Sequence, residues 1–151
     1  MSTPSQTAMP RRADLHTHTA LCRHASGAPE EYLAAALKAG LAYWGVSDHF
    51  PAPAGYDAAF RMAPGELPQY FGILDSLREA AKGTDLQVLA AVEFDYVPGR
   101  MDEVFAALDP LRPKFDYLKA PSTTSAISRS TTRTSSTNGH ATASTPSGTA
   151  T

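Results

Sequence analysis

The stretch DLHTHTALCRH, residues 14–24, places three histidines in and just after the first predicted β-strand, Ala13–His16. Side chains two residues apart on a strand point to the same face, so His16 and His18 can share one metal ion. His24 lies in the loop that follows. A lone His-x-His pair is a weak signal, since two histidines on a strand also arise by chance. Its place at the end of a first strand favours a metal site.

The chain up to residue 118 alternates between strand and helix patterns. Short apolar runs predict the strands, and apolar residues at helical spacing, begun by proline or acidic residues, predict the helices. Strands that alternate with helices form βαβ units, so the predicted fold class is α/β with a parallel sheet, either a barrel or doubly wound. The further predicted strands are Leu41–Ser47, Gln87–Tyr96 and Phe115–Leu118, and the predicted helices are Pro29–Gly40, with Gly40 as the stop, Leu67–Lys82 and Met101–Leu108.

Two more candidate ligands lie at equivalent places in the next two strands. His49 follows the second strand in Ser-Asp-His, and Glu93 lies towards the end of the third. The carboxyl ends of parallel strands gather at one edge, where α/β proteins place their active sites. Neutral imidazole and carboxylate are ligands of Zn, Fe and Mn. The sequence therefore predicts a metal site built from His16, His18, His24, His49 and Glu93.

Several nearby residues allow two interpretations each. Cys22 is either a thiolate ligand or, as the pattern favours, a small core or loop residue. Asp48 and Asp95 either hydrogen-bond the ligands or simply pack and interact with solvent. Arg61 and Arg100 could meet a phosphate, but solvated loop arginines are the favoured interpretation. No glycine-rich phosphate loop and no Ser/His/Asp nucleophile pattern is present.

Composition sets the broad class of protein. The chain has 151 residues, a formal net charge of −2 and one cysteine. This length suits one domain, and the single cysteine allows no internal disulfide. The lack of Lys/Arg runs argues against binding to nucleic acid or a membrane surface, and the lack of a long apolar stretch or signal peptide indicates a cytoplasmic protein. The oligomeric state stays open.

Both ends of the chain differ from the segment between them. Residues 1–12 carry no apolar pattern, and residues 119–151 consist mainly of Ala, Pro, Ser and Thr. Such a composition offers little to bury, so both ends are predicted to be disordered. The expected division is a disordered N-terminus at 1–12, a folded domain at 13–118 and a low-complexity tail at 119–151.

Three segments carry a family resemblance: D-L-H-T-H-T-A-L-C-R-H, G-V-S-D-H-F-P and A-V-E-F-D-Y-V-P-G. Together they resemble the opening motifs of the PHP (polymerase and histidinol phosphatase) family, and the match is closest to its histidinol-phosphatase branch. The resemblance covers about residues 13–118. It implies the N-terminal half of a distorted (β/α)7 TIM-like barrel and a trinuclear centre of Zn, Fe or Mn. The implied activity is hydrolysis of histidinol phosphate, a small-molecule phosphate ester, in histidine biosynthesis.

The resemblance also implies a role for each candidate ligand. His16, His18 and Glu93 resemble the ligands of one metal ion, with Glu93 bridging to a second, and His24 and His49 resemble ligands of a third. The family's other ligands are a histidine directly after the fourth strand, a later histidine and a distal Asp-x-His pair. None of these has a counterpart in this chain.

Phosphate monoesters hydrolyse very slowly without a catalyst, and clustered divalent metals supply both a hydroxide and charge stabilisation. The resemblance therefore predicts a metal-dependent phosphomonoesterase. With part of the ligand set missing and a strand edge exposed, this chain alone is expected to bind metal weakly, turn over negligibly and dissolve poorly. Three alternatives stay open: a metal-dependent amidohydrolase, another PHP phosphoesterase or nuclease, and a non-catalytic module with a Ser/Thr tail.

The tail has a second interpretation, which is out-of-frame translation. Ala, Pro, Ser and Thr are the residues whose main codon families share a middle C. A one-base slip in a gene with C at most third codon positions would therefore enrich all four. The change of composition also falls at the end of the predicted strand Phe115–Leu118.

We predict that the nucleotide sequence downstream of the Leu118 codon contains such a slip. Restoring the frame should place a histidine codon where Thr123 now stands. Sequencing this region decides the matter, and an uninterrupted natural frame through the tail would contradict the prediction.

Overall fold

The computed structural model of the chain describes residues 11–120. Residues 1–10 and 121–151, which include most of the two segments predicted to be disordered, lie outside the described residues, so those predictions and the domain boundaries stay predictions. Within the described part, strands and helices alternate as the sequence predicted. The elements are β1 (Ala13–Thr17), α1 (Pro29–Lys38), β2 (Tyr43–Val46), α2 (Leu67–Ala80), β3 (Gln87–Glu93), α3 (Met101–Leu108) and β4 (Tyr117–Lys119).

The four strands form one parallel sheet in the order β1-β2-β3-β4. Spatial order therefore follows chain order. A doubly wound sheet reverses its direction at a switch point, whereas a barrel adds each strand beside the previous one. The observed order is that of a barrel, and the sheet is a curled four-stranded half-barrel.

A single tyrosine shows how strongly the sheet curls. The Tyr117 hydroxyl on β4 lies 2.6 Å from the Leu15 carbonyl oxygen on β1. In a flat sheet these strands would be about 14 Å apart, too far for one side chain to reach. Gly45 on β2 leaves room for the crossing, because a Cβ there would lie 1.9 Å from the tyrosine oxygen.

The helices begin and end at the signals that the sequence carries. In α1, Pro29 is the first residue, and the Glu31 carboxylate accepts a hydrogen bond from the Ala28 N–H at 2.8 Å. The chain leaves α1 through Gly40, whose φ of 64° suits glycine. No helix within residues 11–120 combines the length and the apolar character needed to cross a membrane.

Helix α2 packs on the sheet through one buried stripe. Tyr70, Leu74 and Leu77 lie at helical spacing and are at most 1% exposed. The Tyr70 hydroxyl lies 2.8 Å from the Val46 carbonyl oxygen and 2.6 Å from that of Ala91. This contact joins the helix to β2 and β3, and because burial disfavours the phenolate, the pKa of Tyr70 is raised well above its usual value.

Three strands are shorter than predicted, for local reasons. At the start of the second, the Leu41 N–H still bonds the Ala36 carbonyl of the preceding helix, at 3.1 Å. The third ends at Glu93 and not at Tyr96, because the chain then enters a turn in which Gly99 has a φ of 71°. The fourth strand begins later than predicted, because the Phe115 N–H still takes part in the turn that precedes β4.

We predict opposite effects of alanine at two glycines. Gly45→Ala should lower the free energy of unfolding, because the new methyl group displaces Tyr117 from its contact with Leu15. Gly72→Ala, on the exposed face of α2 where nothing lies within 4 Å of the new Cβ, should raise it by roughly 0.5–1 kcal/mol.

Urea unfolding measures both changes. If the clash with Tyr117 is the cause, Gly45→Ala should lower the free energy of unfolding much less in a Tyr117→Ala background than in wild type. Equal destabilisation in both backgrounds would contradict this account.

Candidate metal centre

The candidate ligands lie at the carboxyl ends of β1, β2 and β3. Backbone hydrogen bonds hold the ends of β2 and β3 in register: the Glu93 N–H donates to the Asp48 carbonyl at 3.0 Å, and the Phe50 N–H donates to the Glu93 carbonyl at 2.7 Å. His49 and Glu93 thus form a parallel bridge beyond the end of β2. Main-chain pairing therefore places the imidazole of His49 beside the carboxylate of Glu93.

A register shift in β1 lies next to the two histidines at the end of this strand. Asp14 pairs with Trp44 and Thr17 pairs with Val46, so β1 has one residue more than β2 over this interval. Such a bulge redirects side chains at the end of a strand. The Trp44 indole N–H donates to the Thr17 hydroxyl at 2.8 Å, which fixes the chain between His16 and His18.

Four imidazoles converge on this edge of the sheet. The ring centroids of His16, His24 and His49 lie 5.0, 4.9 and 5.0 Å from that of His18, and those of His24 and His49 are 5.1 Å apart. His18 is the central ring. Residues predicted to form one site from four separate places in the sequence thus share one edge.

The two oxygens of Glu93 have different neighbours. Oε2 lies 2.9 Å from His16 Nε2, 3.6 Å from His18 Nε2 and 3.9 Å from His49 Nε2. Oε1 lies 3.2 Å from the Lys119 ammonium at the end of β4. One oxygen therefore faces the imidazoles, and the other faces a fixed positive charge.

Two groups of side chains among the described residues bring three ligand atoms within 4.8 Å of one another. They are His16, His18 and Glu93, and His18, Cys22 and His24. The first group matches the ligand set that the family resemblance implies. The second group contains Cys22 in addition to His24, and the resemblance gives Cys22 no role as a ligand.

Two buried nitrogens indicate how the site is used. Nδ1 of His18 and Nδ1 of His49 have no hydrogen-bond partner among the described residues. Each nevertheless faces a carboxylate: His18 Nδ1 lies 3.8 Å from Asp48 Oδ1, and His49 Nδ1 lies 3.6 Å from Asp95 Oδ2. Metal-binding histidines commonly donate their second ring N–H to a carboxylate. The arrangement suits imidazoles whose Nε2 atoms bind a cation, so the donor set fits a metal.

Electrostatics favour neutral imidazole at the centre. Burial, followed by the nearby His49, His16 and His24, lowers the pKa of His18 to about 4, while Glu93 acts in the opposite direction. Burial alone would raise the pKa of Glu93, but the hydrogen bond from His16 and the charges of His49 and Lys119 outweigh it and lower the pKa. A neutral imidazole next to an ionised carboxylate is the ligand state that metals require.

Asp48 and Cys22 are buried beneath the rings. Burial raises the pKa of Asp48 to about 6, although its carboxylate accepts hydrogen bonds from both the N–H and the hydroxyl of Thr19. The Cys22 thiol is fully buried and lies 2.9 Å from the Thr19 carbonyl oxygen, and burial raises its pKa. Its surroundings are those of a small core residue, although its sulfur lies 3.8 Å from His24 Nε2.

Two residues take positions that the sequence did not predict. Arg61 is only 3% exposed and pairs with Asp57 and Asp95, so the expectation of a solvated loop arginine is wrong. Lys119 is the second, because no sequence pattern singled it out and its ammonium lies 3.2 Å from Glu93 Oε1. Its place at the end of a strand next to the one that carries Glu93 was the available signal, because parallel strand ends share an edge.

A known protein family matches most of this chain. The model of the PHP domain matches residues 14–141. The chain belongs to the PHP domain family. Proteins of this family are metal-dependent, and the two groups of ligands described above could hold metal ions. The match continues past residue 118, where the resemblance of the motifs was expected to stop, and into residues outside the described part.

Two similar proteins carry the name of a histidinol phosphatase. The chain is 43% identical over 86 residues to "Probable histidinol-phosphatase" of Deinococcus radiodurans, an alignment that spans 57% of this chain and 33% of that protein. The crystal structure of hisK from Listeria monocytogenes, provisionally assigned as a histidinol phosphatase, superposes with a TM-score of 0.67 at 24% identity. The superposition covers 72% of this chain and 44% of the Listeria chain, and it supports the fold. The chain thus spans less than half the length of either relative.

We predict a pH dependence that His18 controls. Its pKa is lower in the folded than in the unfolded chain, so the unfolded chain takes up the proton first as the pH falls. The stabilising contribution is complete above pH 6.5 and is lost towards pH 4, on the order of 1–3 kcal/mol. Asp48, whose pKa is raised to about 6, acts in the opposite direction between about pH 4 and 6.

A comparison of variants separates the effect of His18 on stability from that of Asp48. Urea unfolding of metal-free wild type and His18→Gln, with Asp48 present in both, should show the difference in free energy of unfolding shrinking as the pH falls from 7 to 4. A difference that stays constant over this range would contradict the burial of a neutral His18.

Proposed function

We propose that this site belongs to a metal-dependent phosphomonoesterase, a histidinol-phosphatase that converts histidinol phosphate and water to histidinol and phosphate in histidine biosynthesis. The observation that carries the proposal is the convergence of three imidazole Nε2 atoms on one oxygen of Glu93, at 2.9, 3.6 and 3.9 Å. The carboxylates of Asp48 and Asp95 face Nδ1 of His18 and Nδ1 of His49, two atoms that have no hydrogen-bond partner among the described residues. Carboxylate and imidazole suit Zn, Fe or Mn.

We assign the ligands as the geometry and the family resemblance together suggest. His16, His18 and Glu93 would hold one ion. The resemblance implies that Glu93 would also serve a second ion and that His24 and His49 would serve a third. Bound divalent ions acidify a water molecule and neutralise phosphoryl oxygens. The protein's part is to keep His18 neutral, to keep Glu93 ionised and to hold the rings about 5 Å apart.

An anionic substrate suits the charge at this edge. Lys119 lies at the same edge as the four imidazoles, and its ammonium contacts Glu93. The negative groups near the rings are largely shielded from solvent: Asp48 is fully buried, and the side chains of Glu93 and Asp95 are 11% and 15% exposed. Both named relatives belong to the histidinol-phosphatase branch, which supports a small phosphate ester as the substrate. We also propose that the complete domain is a distorted (β/α)7 barrel, of which the half-barrel is the N-terminal part.

The activity test uses a chimera, because the chain spans a third of the length of the Deinococcus relative. Residues 11–120 joined to the corresponding remainder of that relative should release phosphate from histidinol phosphate when supplied with Mn²⁺ or Zn²⁺. Glu93→Gln should reduce kcat/KM at least 100-fold, because it removes the charge that the imidazoles surround. Glu79→Gln, at an exposed pair with Lys82, is the matched control and should leave activity unchanged.

A panel of substrates separates the alternatives. The chimera should act on histidinol phosphate far better than on carboxylic esters, amides or single-stranded DNA. A preference for any of those, or full activity after the metals are stripped, would overturn the proposal. The 151-residue chain alone should show negligible turnover, and robust hydrolysis by it would contradict the need for further ligands.

A further inference from the structure

Arg61 is a loop residue whose guanidinium is buried and donates three hydrogen bonds to other described residues. It lies between β2 and α2 and is 3% exposed. Its Nη1 donates to Asp95 Oδ2, its Nη2 to Asp57 Oδ2 at 3.1 Å, and its Nε to the Asp57 carbonyl at 2.9 Å. The ring of Tyr56 lies 5.3 Å from the guanidinium carbon. A buried charge is tolerated when it is paired and hydrogen-bonded in this way.

The carboxylate oxygen that Arg61 holds also faces the candidate metal centre. Asp95 Oδ2 lies 3.6 Å from His49 Nδ1, a buried atom with no hydrogen-bond partner among the described residues. The other nitrogen of that ring, Nε2, lies 3.9 Å from Glu93 Oε2. A continuous line of polar contacts therefore runs from Arg61 through Asp95 and His49 to Glu93.

We propose that Arg61 is a positioning residue that acts on His49 through Asp95. By fixing the Asp95 carboxylate opposite Nδ1, it selects the tautomer of His49 that carries its proton on Nδ1. The lone pair is then on Nε2, which faces Glu93 and the space where a cation would bind. Asp57 contributes by holding the far side of the guanidinium. The inference rests on the proposed function only for the identity of the cation site.

Asp95 needs a fixed donor to hold its carboxylate opposite His49, and Arg61 is that donor. The rotamer of a free aspartate is set weakly, and Asp95 lies two residues past the end of β3. Arg61 supplies a fixed donor to the same oxygen. Among the described residues, the guanidinium of Arg61 hydrogen-bonds Asp57 and Asp95, so its effect on His49 passes through Asp95.

The test reads the tautomer directly. In the metal-free chain, long-range ¹H–¹⁵N NMR correlations of His49 should show the Nδ1–H tautomer in wild type and a mixture of tautomers in Arg61→Met. Arg61→Lys, which keeps a donor and the charge, should lie nearer to wild type. Arg78→Met, which breaks the pair between Arg78 and Asp116 away from the site, is the control and should leave His49 unchanged.

Zinc affinity provides the second readout. Arg61→Met should weaken zinc binding about 10- to 100-fold, as loss of a residue that orients a ligand commonly does. In a His49→Ala background the same substitution should have no further effect on zinc affinity. A merely structural Arg61 would lower the free energy of unfolding in both backgrounds and weaken zinc binding equally in both.

The outcomes separate the two proposals. A His49 tautomer that is the same in folded wild type and Arg61→Met, or equal zinc effects in the two backgrounds, would overturn the role of Arg61. If Arg61→Met fails to fold, Arg61→Lys and Asp95→Asn give the same comparison. A tautomer that shifts as expected in a wild-type chain that binds no zinc would uphold the role of Arg61 and refute the metal function.

Discussion

The carboxylate of Glu93 is the group on which the rest of the site depends. It lies at the end of β3, a strand that is mostly buried, and one of its oxygens faces three imidazoles while the other faces an ammonium. A buried negative charge is costly without such partners. Removing it would take the hydrogen-bond partner from His16 and Lys119 and the negative charge that His18 and His49 face. A metal ion is a partner that all three imidazoles could share. The parallel order of the strands provides this convergence, because it brings their carboxyl ends to one edge.

Burial then determines the protonation state of each group. His18, at the centre of the cluster, is kept neutral because burial and three neighbouring imidazoles disfavour a proton on it. Asp95 shows the opposite balance: burial would raise its pKa, but the nearby His49 imidazole and the hydrogen bond and charge of Arg61 lower it to about 2. Ligands and supporting carboxylates are thus ready for a cation without a large change in protonation.

Sequence reasoning reached the alternation of strands and helices and the set of residues at the shared edge, because periodicity and strand ends are local signals. It could not choose between a barrel and a doubly wound sheet until a family resemblance was considered. It missed the burial of Arg61, because that depends on how the loop after β2 folds back onto Asp95. It also missed Lys119, whose contact with Glu93 depends on the pairing of β3 with β4. Such long-range contacts leave no periodic trace in the sequence.

The most direct test of the central claim is zinc binding by the 151-residue chain, followed by isothermal titration calorimetry in wild type, His18→Gln and Lys82→Gln. The account predicts binding in wild type that is weakened at least 10-fold by His18→Gln, because the central imidazole belongs to both candidate groups. Lys82→Gln, which removes an exposed salt bridge to Glu79 just past the end of α2, should leave it unchanged. Zinc affinity that is equal in wild type and His18→Gln would contradict a shared cation at this edge.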